Sequence, residues 1–572
     1  MRLLSTLCVL WLACATPAPF PVDPRPPTAP LVRDLCIRYA ADRGALGRFY
    51  DLAGAPERDE RLRRFHDESR AALERVDFDA LSVDDRIDWL LLNNRIDADA
   101  HRLAFERARA LEYAPLVPFA GRIVALHREL RTQNFVEPER EAGDLEDLKR
   151  EIEASRTAAE AHPTVCSPVV ARRAARYLDE LNETLGEWYR FRADYDPLFT
   201  WWARKPREAA GKALEDYTRY VRETIAGDKQ DDTSGRIVGD PIGREELEHE
   251  LRLAWIPYSP EELIEIADRE MRWCTERMIE SARALGLGDD WKAALERVKR
   301  AHVAPGEQPA LVRDLALSAI EFLKQHDLVT VPPLCEETWR MSMLSADAQR
   351  TAPFFLGGEE IQVAFPTASM THAEKLMSMR GNNRHFAHAT VFHELIPGHG
   401  LQQYYQSRWN THRGQFSTPF WTEGWALYWE MLLWDRGFHA TPEDRIGALF
   451  WRMHRCARIR FSLGFHLGTL TPEQCVDYLV DAVGHEQKNA EAEVRRSVTG
   501  GYGPLYQCAY MIGGLQIRAL HRELVGSKQL TDRAFHDAIL EGNNIPIEMV
   551  RARLMNTRLE QDAVTTWRFY DL

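Results

Sequence analysis

The stretch SPEELIEIADREMRWCTERMIESARALG, residues 259–286, carries a full set of helix instructions. Ser259 stands at the N-cap, Pro260 at the first helical position, and Glu262 completes a capping box in which side chains satisfy backbone donors left over at the helix start. Leu263, Ala267, Met271, Cys274, Met278 and Leu285 recur at steps of three, four or seven, which places them on one buried stripe. Gly286 supplies the stop. The same opening recurs at Thr441 in TPEDRIGALFWRMHRCARIRF and at Thr471 in TPEQCVDYLVDAVGH. Helix follows helix and strand candidates are few, so the reading is a mainly α protein.

The chain has 572 residues, long enough for a large core and for more than one domain. Hydrophobic residues at 45% and charged residues at 28% fit a globular protein in water. A net charge of -14 argues against a nucleic-acid partner, which needs a basic footprint, and reads as a solvated acidic surface. Beyond the N-terminus no apolar run reaches the ~20 residues that cross a bilayer. The nine cysteines form no C-x-x-C pair, so neither a sulfur-ligated zinc nor a disulfide framework is indicated.

At the N-terminus, MRLLSTLCVLWLACATPAP has the layout of an export signal over residues 1–15, with Ala13-Cys14-Ala15 as a cleavage site. WLAC, ending at Cys14, is also an imperfect lipoprotein box. The expectation is an exported protein, periplasmic or envelope-anchored, that meets a membrane only through a lipid on Cys14. Residues 16–30 are a proline-rich linker. The folded part divides into a charged helical half, 31–335, and a half with the chemistry, 336–572, which share one cleft and one core. Residues 226–243, AGDKQDDTSGRIVGDPIG, read as an internal loop. FFLGGEEIQVAFP, 354–366, predicts a short strand or hairpin, able to cover the core or to pair with an extended peptide.

The chemistry centres on VFHELIPGHG, residues 391–400. In an H-E-x-x-H zinc motif two histidines one helical turn apart share a metal, and the glutamate between them is the general base. Here His393 and His399 are six apart, and at ~100° per residue an unbroken helix would turn them ~120° away from each other. Pro397 removes an amide donor and clashes with the His393 carbonyl, while Gly398 accepts dihedrals that other residues cannot. The expected result is a kink or bulge that turns His399 back toward His393. A catalytic zinc takes three protein ligands, and Glu423 in the tryptophan-rich FWTEGWALYWEMLLWDRGF is the third candidate. Glu430 lies two turns further on nearly the same face, either as a carboxylate that orients a histidine or as the ligand itself.

HELIPGH with Gln402 three residues on, followed by EGWALYWE, resembles the signatures of the domain-of-unknown-function-885 family of bacterial exported proteins. The likeness extends through PIGREELEHEL and a late segment, where this chain reads PLYQCAY at 504–510 instead of the PGQALSY of many members. That family is similar in logic to gluzincin-type zinc metallopeptidases. The resemblance implies one Zn2+ held by His393, His399 and Glu423, with Glu394 as the base, in a deep cleft of a large two-lobed helical fold with a small β element near the active-site helix.

VTGGYGPLYQCAYMIGG places Tyr502, Tyr506 and Tyr510 four apart behind glycines. Tyr510 or Tyr506 could steady an oxyanion, and Arg495 or Arg496 could meet a peptide carboxylate. His372, His385 and His388 read as ordinary hydrogen-bonded histidines. The functional expectation is a zinc-dependent peptidase acting on short peptides. The alternative is an exported metal- or peptide-binding lipoprotein without turnover.

Overall fold

The Ser259 signal is realised as a helix over Pro260–Ala284, with both halves of the capping box formed. Ser259 Oγ accepts from the Glu262 amide at 3.2 Å, and the Ser259 amide donates to Glu262 at 2.8 Å. Gly286 terminates it with φ 76°, and the Leu287 amide returns to the Ala282 carbonyl. Leu263, Ala267, Cys274 and Met278 are buried as the stripe requires, while Met271 and Leu285 pack at its margin. The computed structural model describes residues 31–161, 166–228, 236–350, 354–499 and 501–572. The export signal and linker expected over residues 1–30 lie outside the described residues.

The molecule is mainly helical. Among the described residues, one sheet is present, in which Arg340–Met343 pairs in parallel with Glu360–Val363. Leu356 bridges back to Gln362, so the 354–366 segment forms a tight turn and a short strand. No described helix is long and apolar enough to cross a membrane.

The helices Ala120–Thr132, Pro138–Ala161, Pro168–Arg190 and Pro197–Tyr220 close around an apolar core of their own, including Leu178, Leu181, Leu185 and Trp188. The other cores run across residue 335. Val32, Tyr39 and Trp89 pack with Trp421, Trp425 and Trp429, and Leu263 and Ile266 pack with Ile459 and Met511.

Two features position the site. The helix Pro442–His466, capped by Thr441, is buried on almost every side, charged residues included. A helix surrounded in this way is a central strut. The tryptophan-rich helix Pro419–Asp435 meets Tyr506–Leu524 backbone to backbone: a Cβ at Gly513 would lie 1.9 Å from the Phe420 carbonyl oxygen, and one at Gly424 2.6 Å from Gly513 Cα. Only glycines allow this approach, which brings Tyr506 of the late segment against Glu423.

Candidate metal centre

The HELIPGH segment breaks more completely than a kink. The helix Arg384–Glu394, capped by Asn383, ends at Glu394, Leu395 leaves with φ -110° and ψ -104°, and a second helix starts at His399 and runs to Gln406. The Ile396–Pro397 bond is cis. The physical reason is the one the sequence contains: Pro397 has no amide to donate, and the Gly398 amide reaches past the helical pattern to the Phe392 carbonyl at 3.0 Å. A Cβ at Gly398 would lie 1.8 Å from the His393 carbonyl oxygen, so the turn admits only glycine. Trp425 Nε1 anchors it by donating to the Pro397 carbonyl at 2.7 Å. The imidazoles of His393 and His399 are thereby brought edge to face, with centroids 5.0 Å apart.

Glu423 arrives from the tryptophan-rich helix. Its Oε2 lies 3.8 Å from His393 Nε2 and 3.4 Å from His399 Nε2. One ligand atom from each of the three residues lies within 4.8 Å of the others. Two donors in a tetrahedral zinc site are ~3.4 Å apart, so these separations suit a shared ion. Each donor is also fixed from behind. Glu430 Oε1 accepts from His393 Nδ1 at 2.7 Å, and since a carboxylate only accepts, Nδ1 carries a proton and Nε2 is the nitrogen turned toward Glu423. Gln402 spends its amide nitrogen on the carbonyls of Trp421 and Thr422, so its Oε1 accepts from His399 Nδ1 at 2.9 Å. Tyr506 donates its hydroxyl to Glu423 Oε1. That leaves Oε2 buried and without a hydrogen-bond partner between two imidazole nitrogens. A buried carboxylate oxygen that makes no hydrogen bond and faces two imidazole nitrogens suits a shared cation, and the donor set of two imidazoles and one carboxylate fits zinc.

Charge around the site is strongly coupled. Burial opposes ionisation of Glu423, but His399 and His393 beside it hold its carboxyl well below the ordinary 4.5. Burial likewise disfavours the charged imidazoles, yet Glu423 overrides it and pushes His399 up to about 9, and Glu423 with Glu430 raises His393. Burial raises Glu394. Tyr506 and Tyr510 are raised chiefly by burial, which keeps both phenols protonated at neutral pH.

A cavity of about 280 Å³ opens beside these ligands. Glu394 lines it beneath Gly357, whose added Cβ would lie 2.3 Å from Glu394 Oε2. The 354–366 segment thus forms part of the wall. Tyr502, Tyr506, Tyr510 and Arg496 line the cavity as well. The Tyr510 ring lies nearly parallel to that of His393, with centroids 6.3 Å apart. Glu430 and Gln402 stand behind the histidines. Arg495 does not line the cavity and donates to the Arg236 carbonyl at 3.4 Å. His385 pairs with Asp444 at 2.7 Å and His388 with His439 at 3.2 Å, away from the ligands, and His372 opens a separate helix.

Arg455 and Arg458, both lining the cavity, escaped the sequence reading. A signal existed. Arg452, Arg455 and Arg458 recur every three residues among the apolar positions of a helix rich in Leu, Phe, Trp and Ile, where a charge needs a buried partner.

No curated protein matches the chain. Its fold is similar to that of a candidate lipoprotein of unknown function from Shewanella oneidensis, with a TM-score of 0.68, 16% identity, and coverage of 92% of this chain and 99% of that one. A candidate lipoprotein from Colwellia psychrerythraea is similar at a TM-score of 0.57, again with 16% identity, over 92% of this chain and 98% of its own. A family model described as bacterial protein of unknown function (DUF885) matches residues 42–554, and the chain belongs to that family.

Proposed function

We propose that the protein is an exported zinc-dependent peptidase that hydrolyses short peptides, with His393, His399 and Glu423 as metal ligands. The observation that carries this reading is the convergence of Glu423 Oε2, buried and without a hydrogen bond, on the Nε2 atoms of both histidines at 3.8 and 3.4 Å. His393, His399 and Glu423 would hold the zinc ion, which would supply Lewis acidity toward a water and a carbonyl. Glu394, beside the ligands and raised by burial, takes the proton of the attacking water and passes it to the leaving amine. Tyr506 is committed to Glu423, so Tyr510 is the phenol that donates to the oxyanion.

The cavity of about 280 Å³ favours small substrates. A second, larger cavity of about 670 Å³ shares Tyr506 with the first and runs toward Arg102 and Phe105, in keeping with a two-lobed gluzincin-like cleft. Export with envelope attachment through Cys14 accords with the lipoprotein description of the two similar structures.

The test is metal analysis followed by turnover of a peptide library by wild type and Glu394→Gln. We expect one zinc per chain in both proteins and a loss of ~10²–10⁴-fold in turnover in the variant. Bound zinc with no turnover of any peptide, or equal turnover in both, would reject the peptidase and leave a metal-binding lipoprotein.

A further inference from the structure

Three guanidinium groups form one wall of the metal cavity: Arg455 and Arg458 from the helix Pro442–His466, and Arg496 from the helix Gln487–Val498. Arg455 and Arg458 are 4% and 3% exposed. Two carboxylates face them. Arg458 Nε donates to Glu493 Oε1 at 2.7 Å, and Arg496 Nε lies 2.8 Å from Glu493 Oε2. Arg455 comes no closer than 3.7 Å to Glu430 Oε1, an oxygen that already accepts from His393 at 2.7 Å.

Among the described residues, Arg455 therefore has only that loose ion pair and the faces of Trp451 and Tyr510 for company. Its Nε, and Nη1 of Arg458, are buried without hydrogen-bond partners. The histidines behind the wall add no further positive charge, since burial holds His454 well below its ordinary range and His485 down to about 3. Idle buried donors of this sort are costly unless a ligand takes them.

The wall is also at a defined reach. Tyr510 bridges it to the ligands: its ring lies 6.3 Å from that of His393, with the guanidinium carbons of Arg455 and Arg458 at 4.9 and 4.4 Å from its centroid. One residue of extended chain spans ~3.5 Å and a charged hydrogen bond adds ~2.8 Å, so a peptide whose carbonyl sits at the ligands presents its next carboxylate to these arginines.

We infer that this wall binds the free C-terminal carboxylate of the substrate, so that the protein removes single C-terminal residues from short peptides, as a carboxypeptidase or dipeptidase, and does not cut internally. The inference rests on the peptidase reading above. In the step, the C–N bond of the last peptide link breaks, one water adds its hydroxyl to the carbonyl carbon, and its proton goes to the departing amine, so each event consumes one water and frees the C-terminal amino acid from the acyl portion, itself an amino acid when the substrate is a dipeptide.

The experiment uses the zinc-loaded full chain and matched short peptides with a free C-terminus, a C-terminal amide, and an amide ending in Asp. We expect kcat/KM for the free acid to exceed that for the plain amide by ~100-fold, with a single amino acid released. Arg455→Met should shrink this ratio by ~10-fold or more, and Arg496→Gln, whose side chain is 18% exposed, serves if the first variant fails to fold. Because both rates come from one preparation, the ratio does not depend on the fraction folded. Equal cleavage of acid and amide overturns the carboxylate assignment and leaves the peptidase standing, and preferred cleavage of the Asp amide overturns it in favour of a side-chain acid. Should no peptide be cleaved, the peptidase reading falls, and calorimetric titration of zinc-free protein with N-acetylglycine and its amide decides the wall separately. Binding of the acid alone, lost in Arg455→Met, sustains it; no binding overturns it.

Discussion

The four-helix bundle of residues 120–220 and the helices around Pro442–His466 are both tightly packed, but they bury different things. In the bundle the interior is apolar, with Ala174, Leu178, Leu181, Leu185 and Trp188 along one helix, and among its described residues the unpartnered buried side-chain atoms are Asn182 Oδ1 and Arg207 Nε. Around Pro442–His466 the interior holds Glu423, Glu430, Arg455, Arg458, His454 and Glu493, and unpartnered buried atoms gather on Glu423, Glu430, Arg455 and Arg458. Burial of apolar surface stabilises without specifying chemistry, whereas charge taken out of water and left incompletely paired persists where a ligand completes it. The bundle reads as scaffold and the charged region as site.

The contrast can be broken at its joint. Gly513→Ala is expected to have the largest effect, because its Cβ would lie 1.9 Å from the Phe420 carbonyl and neither backbone can yield. Thermal unfolding should report a loss of more than ~3 kcal/mol, and calorimetry a loss of zinc binding as Glu423 moves off the histidines. Leu181→Ala, wholly buried in the bundle, sharpens the contrast: stability should fall by ~2–5 kcal/mol in denaturant titration while zinc affinity is unchanged.

Glu430→Gln joins what Leu181→Ala separates. It keeps an acceptor on His393 Nδ1 but removes the charge beside buried Arg455, so competition with a chelator should show zinc affinity down ~10–100-fold and denaturant titration a stability loss of ~3 kcal/mol.

The smallest effect is graded with pH. His399 is raised from 6.5 to about 9, so in metal-free protein its proton contributes stability that is complete below pH 6.5 and lost as pH rises through 9. Zinc needs that nitrogen deprotonated, so its affinity should climb by up to ~tenfold per pH unit over this window and level off above it. Titrations in buffers of different ionisation heat should detect the released proton, and melting curves of metal-free protein should fall across the same range. A flat affinity between pH 6.5 and 9 would contradict the coupling between His399 and Glu423.

Much of the helical architecture was legible because its signals are local. Ser259 with Glu262, Thr471 with Gln474, and Thr441 act within three or four residues, and each caps a helix that starts where it should. Pro397 and Gly398 dictated a break by the same short-range logic. Its extent, a full stop and restart, depended on the Trp425 anchor, which comes from a later helix.

The two glutamates of EGWALYWE mark where sequence reading stops. Seven residues apart on nearly one face, Glu423 reads as the third ligand and Glu430 as a carboxylate that orients a histidine or as the ligand itself, and spacing alone does not decide between them. Packing ranks them: Gly424 and Gly513 bring the tyrosine helix close enough for Tyr506 to take one oxygen of Glu423, while Glu430 meets His393 from the rear.

By itself, then, the chain determined its helices, their ends, the interruption between two histidines, and the residue types of a candidate metal centre, because caps, dihedral limits and periodicity act over a few neighbouring positions. Tertiary structure decided which carboxylate oxygen is left bare, and that Arg455 and Arg458 of one helix join Arg496 of another in facing the cavity. Those outcomes hang on contacts between residues far apart in sequence, whose distances are fixed only when whole helices settle against one another.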